Sequence, residues 1–354
     1  MAGSKRVLYA VLNWGLGHAT RSIPVINALQ KHGFEPVIAA DGAAFDFLNQ
    51  SFPHLQKVEM PALNLSYAKS GSQVWAMLGQ TGKLIKWHRS ESEFICAHLA
   101  KNDYVGIISD NVPSVHSTSI PSVYITHQLQ VKAGLASAMA TRAHHTLYQK
   151  FTEIWVPDGE GECALAGALS VKKEDSRTRC IGVLSDLQPV TESEEFDCAV
   201  ILSGPEPQRG MLEAALVSQF TAQVDRKVIF IRGTQAKRPE GLPTQWQIID
   251  IANRQEIQHA FARSRVIIAR NGYSTLMDLE VFPKPALLIP TPGQPEQEYL
   301  ATLPIHQKRY ALQAQSALQA EKGMAEAIQK QANSKKEKRI EPNWEELFRL
   351  FEGK

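Results

Sequence analysis

The chain has 354 residues, 44% hydrophobic and 21% charged, with a formal net charge of +2; this length suffices for two domains with separate cores, and this charge gives no electrostatic footprint for nucleic acid. Its four cysteines (Cys96, Cys163, Cys180, Cys198) form no C-x-x-C pair, so neither a zinc cluster nor a thioredoxin-type site is indicated. No apolar run approaches the ~18 residues of a membrane span, and the N-terminus enters a strand without a signal-peptide pattern, so a cytoplasmic protein is expected.

Short β-branched and apolar runs alternate with helix-like segments from the start. Arg6–Leu12 reads as a strand, followed by a glycine-containing turn and a helix ending near Gly33. Further strands are predicted at 36–40, 105–108, 122–125 and 154–157, the last of the first half. Strands separated by helices imply a parallel sheet covered on both faces. The pattern then lapses. Residues 158–195, rich in Gly, Glu, Ser and Lys, read as a linker and inter-domain segment. A second series follows at 198–202, 227–231, 247–250, 266–269 and 286–289.

The expected organisation is α/β: two tandem Rossmann-like parallel-sheet domains facing a cleft. Residues 1–157 form an N-terminal domain and 196–335 a C-terminal one. A closing helix over 336–354 is marked by Trp344, Leu347, Phe348 and Phe351 at helical spacing. Ligands of such sheets bind at the carboxyl ends of strands, and between two domains the cleft is the expected site.

Each strand end can then be asked what it presents. After the first strand come Gly15, Gly17 and His18. The glycines permit close backbone approach, but Thr20 stands where G-x-G-x-x-G needs its third glycine, so the dinucleotide fingerprint fails. Asp110 follows the strand at 105–108, and His127 the strand at 122–125. Parallel strands place all three groups on one edge, where they can supply a general base and its orienting partner. Capping or packing is the plain alternative for each.

In the second half, Ser203 and Gly204, with Arg209 at the next helix, end one strand, and Gly233 ends another. The run Arg270-Asn271-Gly272-Tyr273-Ser274-Thr275 links an apolar strand to a helix. Gly272 is expected to make the bend and Ser274 or Thr275 to cap. A helix start of this kind suits a phosphate, and Asp278 follows at a distance suited to ribose. Three small-residue loops on one edge suffice for a diphosphate cradle. No D-x-D occurs and no metal is expected; Glu296 and Glu298 form the closest acidic pair.

These residues resemble the GT-B-fold glycosyltransferases, most closely family 28, which includes the N-acetylglucosaminyltransferase of peptidoglycan lipid-intermediate synthesis. The likeness in element order runs from about residue 5 to 330 and is most specific over 270–299. The resemblance implies a nucleoside-diphosphate sugar, usually UDP-linked, in the C-terminal domain, with Gly272, Ser274 and Thr275 at the diphosphate and Asp278 at the ribose. It further implies Asn253 and Arg254 near the base, and Gln297 and Glu298 at the donor sugar. Two departures are Asp278, where the family commonly has Glu, and Glu298, where it has Gln.

The function expected is inverting, metal-independent transfer to an acceptor hydroxyl, with His18 as base and Asp110 as second choice. The acceptor would be a glycan or a lipid-linked molecule. The basic, aromatic segment Val74–Arg89 would suit peripheral contact with a membrane in the lipid case, though an ordinary buried-stripe helix explains it too. The alternatives are a UDP-N-acetylglucosamine 2-epimerase-like enzyme and a non-catalytic nucleotide-sugar-binding protein.

Overall fold

The computed structural model describes residues 5–13, 16–62, 81–130, 137–159, 161, 164–170, 175–223, 225–333 and 341–353. The chain divides into two compact units. One takes the described residues up to Asp186 with the C-terminal stretch Arg339–Lys354; the other takes those of Leu187–Lys338.

The first unit is built on a seven-stranded parallel sheet. Its strands are β1 (Lys5–Val11), β2 (Phe34–Ala40), β3 (Lys57–Glu59), β4 (Gly106–Asp110), β5 (Ser122–Ile125), β6 (Glu153–Val156) and β7 (Thr178–Cys180), in the order β3-β2-β1-β4-β5-β6-β7. β4 and β5 are buried throughout, as expected where helices cover both faces. The helices are α1 (Leu16–Lys31), α2 (Gly42–Ser51), α3 (Thr81–Leu99) and α4 (Ser137–Tyr148). Strand order reverses between β1 and β4, which opens a crevice at their carboxyl ends. The register sets Val11 beside Asp110, and Leu12 N–H donates to the Asp110 carbonyl at 3.1 Å. The loop entering α1 therefore starts beside the end of β4.

Two strands of this sheet have no counterpart in the sequence reading. β3 and β7 are three residues long with one buried position each, too little for an alternation to register. β7 lies in the stretch read as linker, and residues up to Asp186 pack with the first unit. A buried carboxylate organises that stretch: Asp158 accepts from the amides of Gly159, Leu165 and Ala166 at 2.7–3.0 Å.

The chain's last helix, α11 (Trp344–Phe348), is seated against this unit. Phe348 meets His32 and Phe34 edge-on, with ring centroids 5.4 and 5.7 Å away. Phe351 sits directly over Gly106, where a Cβ would come within 2.1 Å of its ring.

The second unit holds a six-stranded parallel sheet in the order β10-β9-β8-β11-β12-β13. The strands are β8 (Phe196–Ile201), β9 (Val228–Ile231), β10 (Gln247–Ile249), β11 (Ser264–Ala269), β12 (Ala286–Leu288) and the two-residue β13 (Ala311–Leu312), also unforeseen. Its helices are α5 (Gln208–Thr221), α6 (Arg254–Arg263), α7 (Tyr273–Val281), α8 (Pro295–Thr302), α9 (Pro304–Arg309) and α10 (Ala320–Asn333). The core joins Val200, Leu216, Phe220, Phe230, Trp246, Ile268 and Leu287, with Phe230 and Trp246 stacked at 5.6 Å. Each such side chain contributes about 1.5–3 kcal/mol through burial. Here strand order reverses between β8 and β11, so the loops after Ile201 and Ala269 flank the crevice.

Candidate functional site

In the first unit three of the expected residues come together around one that the sequence reading passed over. His18 is the third residue of α1, and Arg21 lies three residues on, on the same helix face. Arg21 is 3% exposed and Asp110 fully buried. Arg21 Nε donates to Asp110 Oδ2 at 2.7 Å, and its Nη2 donates to Oδ1. His18 Nδ1 meets the same Oδ1 at 2.7 Å. Arg21 Nη1 stands 3.1 Å from His127 Nδ1. A guanidinium can only donate, so His127 Nδ1 is the acceptor and its proton is on Nε2.

The charge on Asp110 bears on the tautomer of His18. Burial alone would raise the Asp110 carboxyl, but Arg21 and His18 hold it down to about 2. His18 Nδ1 faces two partners, the ionised Asp110 Oδ1 at 2.7 Å, which only accepts, and Arg21 Nη2 at 2.9 Å, which only donates. The shorter contact, to the carboxylate, favours the proton on Nδ1 and the lone pair on Nε2. His18 is itself pulled below the usual histidine range, first by burial and then by Arg21, against the opposing pull of Asp110. The group is a neutral imidazole at neutral pH, oriented by a buried carboxylate that a buried arginine fixes in turn. That arrangement can remove a proton from a hydroxyl.

The residue after Asp110 is also held. Asn111 adopts a left-handed backbone with φ 59°, which Asn tolerates better than most residues. Tyr124 Oη donates to its Oδ1 at 2.7 Å. Gly17 opens α1 beside His18, while Gly15 lies outside the described residues.

In the second unit the expected residues gather along the carboxyl edge of the sheet. Gly204 (φ 94°) follows β8 and Gly233 (φ 68°) follows β9. A Cβ on Gly233 would come within 2.4 Å of the Leu202 carbonyl, whereas one on Gly204 would meet open space. Ser203 is exposed in the first of these loops. After β11, Gly272 is the N-cap of α7, at φ −83° and without a side-chain cap. The bend is thus one any residue could make, and Ser274 and Thr275 lie within the first turn instead of capping it. A glycine here leaves the helix start uncovered: a Cβ would find only Gln297 Nε2 and Thr275 Oγ1, at 3.9 Å. Such an end attracts anions.

Arg270 is 1% exposed, and burial pulls its guanidinium down to about 10. It therefore stays cationic at neutral pH. It donates to the Gln208 carbonyl at 2.6 Å and more weakly to those of Ile289 and Pro290. Asn271 Nδ2 donates to the Gln297 carbonyl at 3.1 Å. Gln297 and Glu298, in the first turn of α8, accept from the amides of Thr291 and Gly293 at 2.8 Å and so close the 291–293 turn.

Two expected contacts are met by protein groups instead. Arg209 is buried and paired with Glu206 and Glu213, with a third bond to the Arg232 carbonyl. Two carboxylates already balance its charge. Asp278 is gripped by Arg254, Nη1 to Oδ2 at 3.0 Å and Nη2 to Oδ1 at 2.9 Å. Asn253 is engaged as well: its side chain caps α6 in a capping box with Glu256.

Residues 209–348 match the glycosyltransferase family 28 C-terminal domain. No curated protein sequence matches the chain. Among solved structures, the glycotransferase of kitacinnamycin superposes with a TM-score of 0.64 at 13% identity, covering 98% of this chain and 95% of that one. MurG of Acinetobacter baumannii gives 0.58 at 13% identity, covering 98% and 99%. Glycosyltransferase VinC, solved with dTDP, gives 0.60 at 16% identity, covering 98% of each. The chain has the fold of the GT-B type, and its residues 209–348 match a family 28 C-terminal domain.

In the first unit the sequence reading named His18, Asp110 and His127 but not Arg21, which ties the three together. The signal was present as an i, i+3 spacing from His18 in the first helix. The buried Arg232, which bonds Glu213 and Asp250, was also missed. Among the described residues no three His, Cys, Asp or Glu side chains gather to hold a metal ion. No helix there is long and apolar enough to cross a membrane. Of the segment Val74–Arg89, residues 74–80 lie outside the described residues.

Proposed function

We propose that this chain is a glycosyltransferase that moves a sugar from a pyrimidine nucleoside diphosphate to an acceptor hydroxyl with inversion at the anomeric carbon. The observation that carries the reading is the His18–Asp110–Arg21 network, since it leaves His18 Nε2 as a neutral base in a fixed orientation. UDP is the donor nucleotide expected from the sequence; the dTDP bound to VinC widens the proposal to UDP- and TDP-sugars.

His18 Nε2 takes the proton of the acceptor hydroxyl as its oxygen bonds to the anomeric carbon. The bond from that carbon to the diphosphate oxygen breaks, and the nucleoside diphosphate departs with the electron pair. The N-terminus of α7 and the cation of Arg270 stabilise the charge that develops there. Arg209, neutralised by Glu206 and Glu213, is left out of this step. Gln297 and Glu298 face the donor sugar, and the acceptor is a glycan or a lipid-linked molecule met by the first unit.

The test is turnover of UDP- and TDP-sugars to free nucleoside diphosphate over a panel of hydroxyl acceptors. His18→Ala should abolish release while calorimetric binding of the donor persists. Unchanged release would overturn the assignment. Release also separates transfer from 2-epimerisation, whose ordinary product keeps its nucleotide.

A further inference from the structure

Asp278 lies six residues beyond Gly272, about 9 Å along α7 from the helix start at 1.5 Å per residue. A nucleoside whose diphosphate sits on that start has its pentose within reach of this carboxylate. The carboxylate is not vacant. Arg254 is the first residue of α6, its backbone fixed by the Asn253–Glu256 capping box. Its fork meets the edge of Asp278 with one Nη on each oxygen, at 3.0 and 2.9 Å. The two side chains are 15% and 14% exposed, so the pair is largely withdrawn from water.

A bidentate fork occupies the edge of a carboxylate that faces both oxygens. The vicinal 2′- and 3′-hydroxyls of a ribose would claim the same edge to bond both oxygens at once. One edge cannot serve both partners. With Arg254 in place, Asp278 can meet a single hydroxyl from the side but cannot grip a diol. A pentose with only a 3′-hydroxyl then loses nothing by comparison.

We propose that the Arg254–Asp278 pair removes the need for a 2′-hydroxyl, so that the donor site takes 2′-deoxyribonucleoside diphosphates as readily as ribonucleoside diphosphates. This rests on the donor seat at α7 given under Proposed function. Arg254 is then the residue that determines specificity, through its hold on Asp278.

Calorimetry of UDP and 2′-deoxy-UDP on the full chain tests this without a change of base. For the wild type the two dissociation constants should agree within about threefold. Arg254→Ala frees the carboxylate edge and should favour UDP by about tenfold or more, the scale of a hydrogen bond to a charged group. Arg254→Lys, which keeps the charge without the fork, should fall between. A wild-type preference for UDP of tenfold or more overturns the proposal while leaving the donor seat standing. So does a ratio near one that Arg254→Ala fails to move. Binding of neither nucleotide to the wild type overturns the donor seat itself, and this inference with it.

Discussion

The carboxyl edges of the two sheets are furnished differently. At the first, the chemistry is made of side chains: His18, Arg21, Asp110 and His127 are bound to one another and mostly withdrawn from water. At the second it is made mainly of backbone: Gly204, Gly233 and Gly272 bare the strand ends and a helix start, while Arg209 and Asp278 are paired with protein partners. A base must be oriented before its substrate arrives, because a misaligned proton acceptor forfeits the gain. A phosphate seat instead has to keep N–H groups uncovered, and small residues do that.

The largest effects should come from breaking the first edge. His18→Ala removes the proposed base and should lower turnover by about 10²–10⁴-fold, the range for a general base. Asp110→Asn should approach this loss, since an amide facing Nδ1 lets the imidazole take the wrong tautomer. Donor affinity should be preserved in both. If either variant lost donor binding along with turnover, the division of labour between the edges would fail. At the second edge Arg270→Met should weaken nucleoside diphosphate binding, by about tenfold or more for one charged contact. Calorimetry on UDP and TDP checks it, and unchanged affinity would remove Arg270 from the donor seat.

How far each edge was legible in the sequence follows from the same contrast. Glycines at strand ends and a glycine before a helix can be read directly, because a backbone site shows as missing side chains. The long parallel strands could also be read, as unbroken apolar runs such as Val266–Ala269. Arg21 could not be recognised by the same means. An arginine on an amphipathic helix is most often exposed, and only the β1–β4 crossover buries it against Asp110. The Arg254–Asp278 pair joins residues 24 apart on two helices, a contact that periodicity does not reveal. Strands β3, β7 and β13 are two or three residues long, held by neighbours more than by their own pattern.

A smaller effect tests the scaffold beneath the first edge. Gly106 opens β4, the strand that ends at Asp110, and Phe351 packs directly over it. In Gly106→Ala the added methyl meets an aromatic ring that is itself buried, so the ring or the strand must move. Such overpacking costs about 1–3 kcal/mol, measurable as a lower midpoint in denaturant. An unchanged midpoint would show that the C-terminal turn is loosely seated.

The subtlest test reads the charges of the first edge through pH. As the proposed base, His18 works only when unprotonated, so activity should be present above its folded pKa and lost as pH falls through it. Burial and Arg21 depress that pKa, while Asp110 raises it. The acid limb of kcat/KM should therefore have its midpoint below the ordinary histidine value of about 6.5. Arg21→Met removes a depressing charge and should move the limb to higher pH. Asp110→Asn removes the opposing carboxylate and should move it lower, on whatever residual rate remains. Asp278→Ala, in the other unit, should leave the limb where it is. Opposite displacements from Arg21 and Asp110 assign the limb to His18, because a base elsewhere would not feel both neighbours. A limb that stays fixed in both variants would take the proton acceptor away from this cluster, leaving the donor seat to be judged by nucleotide binding alone.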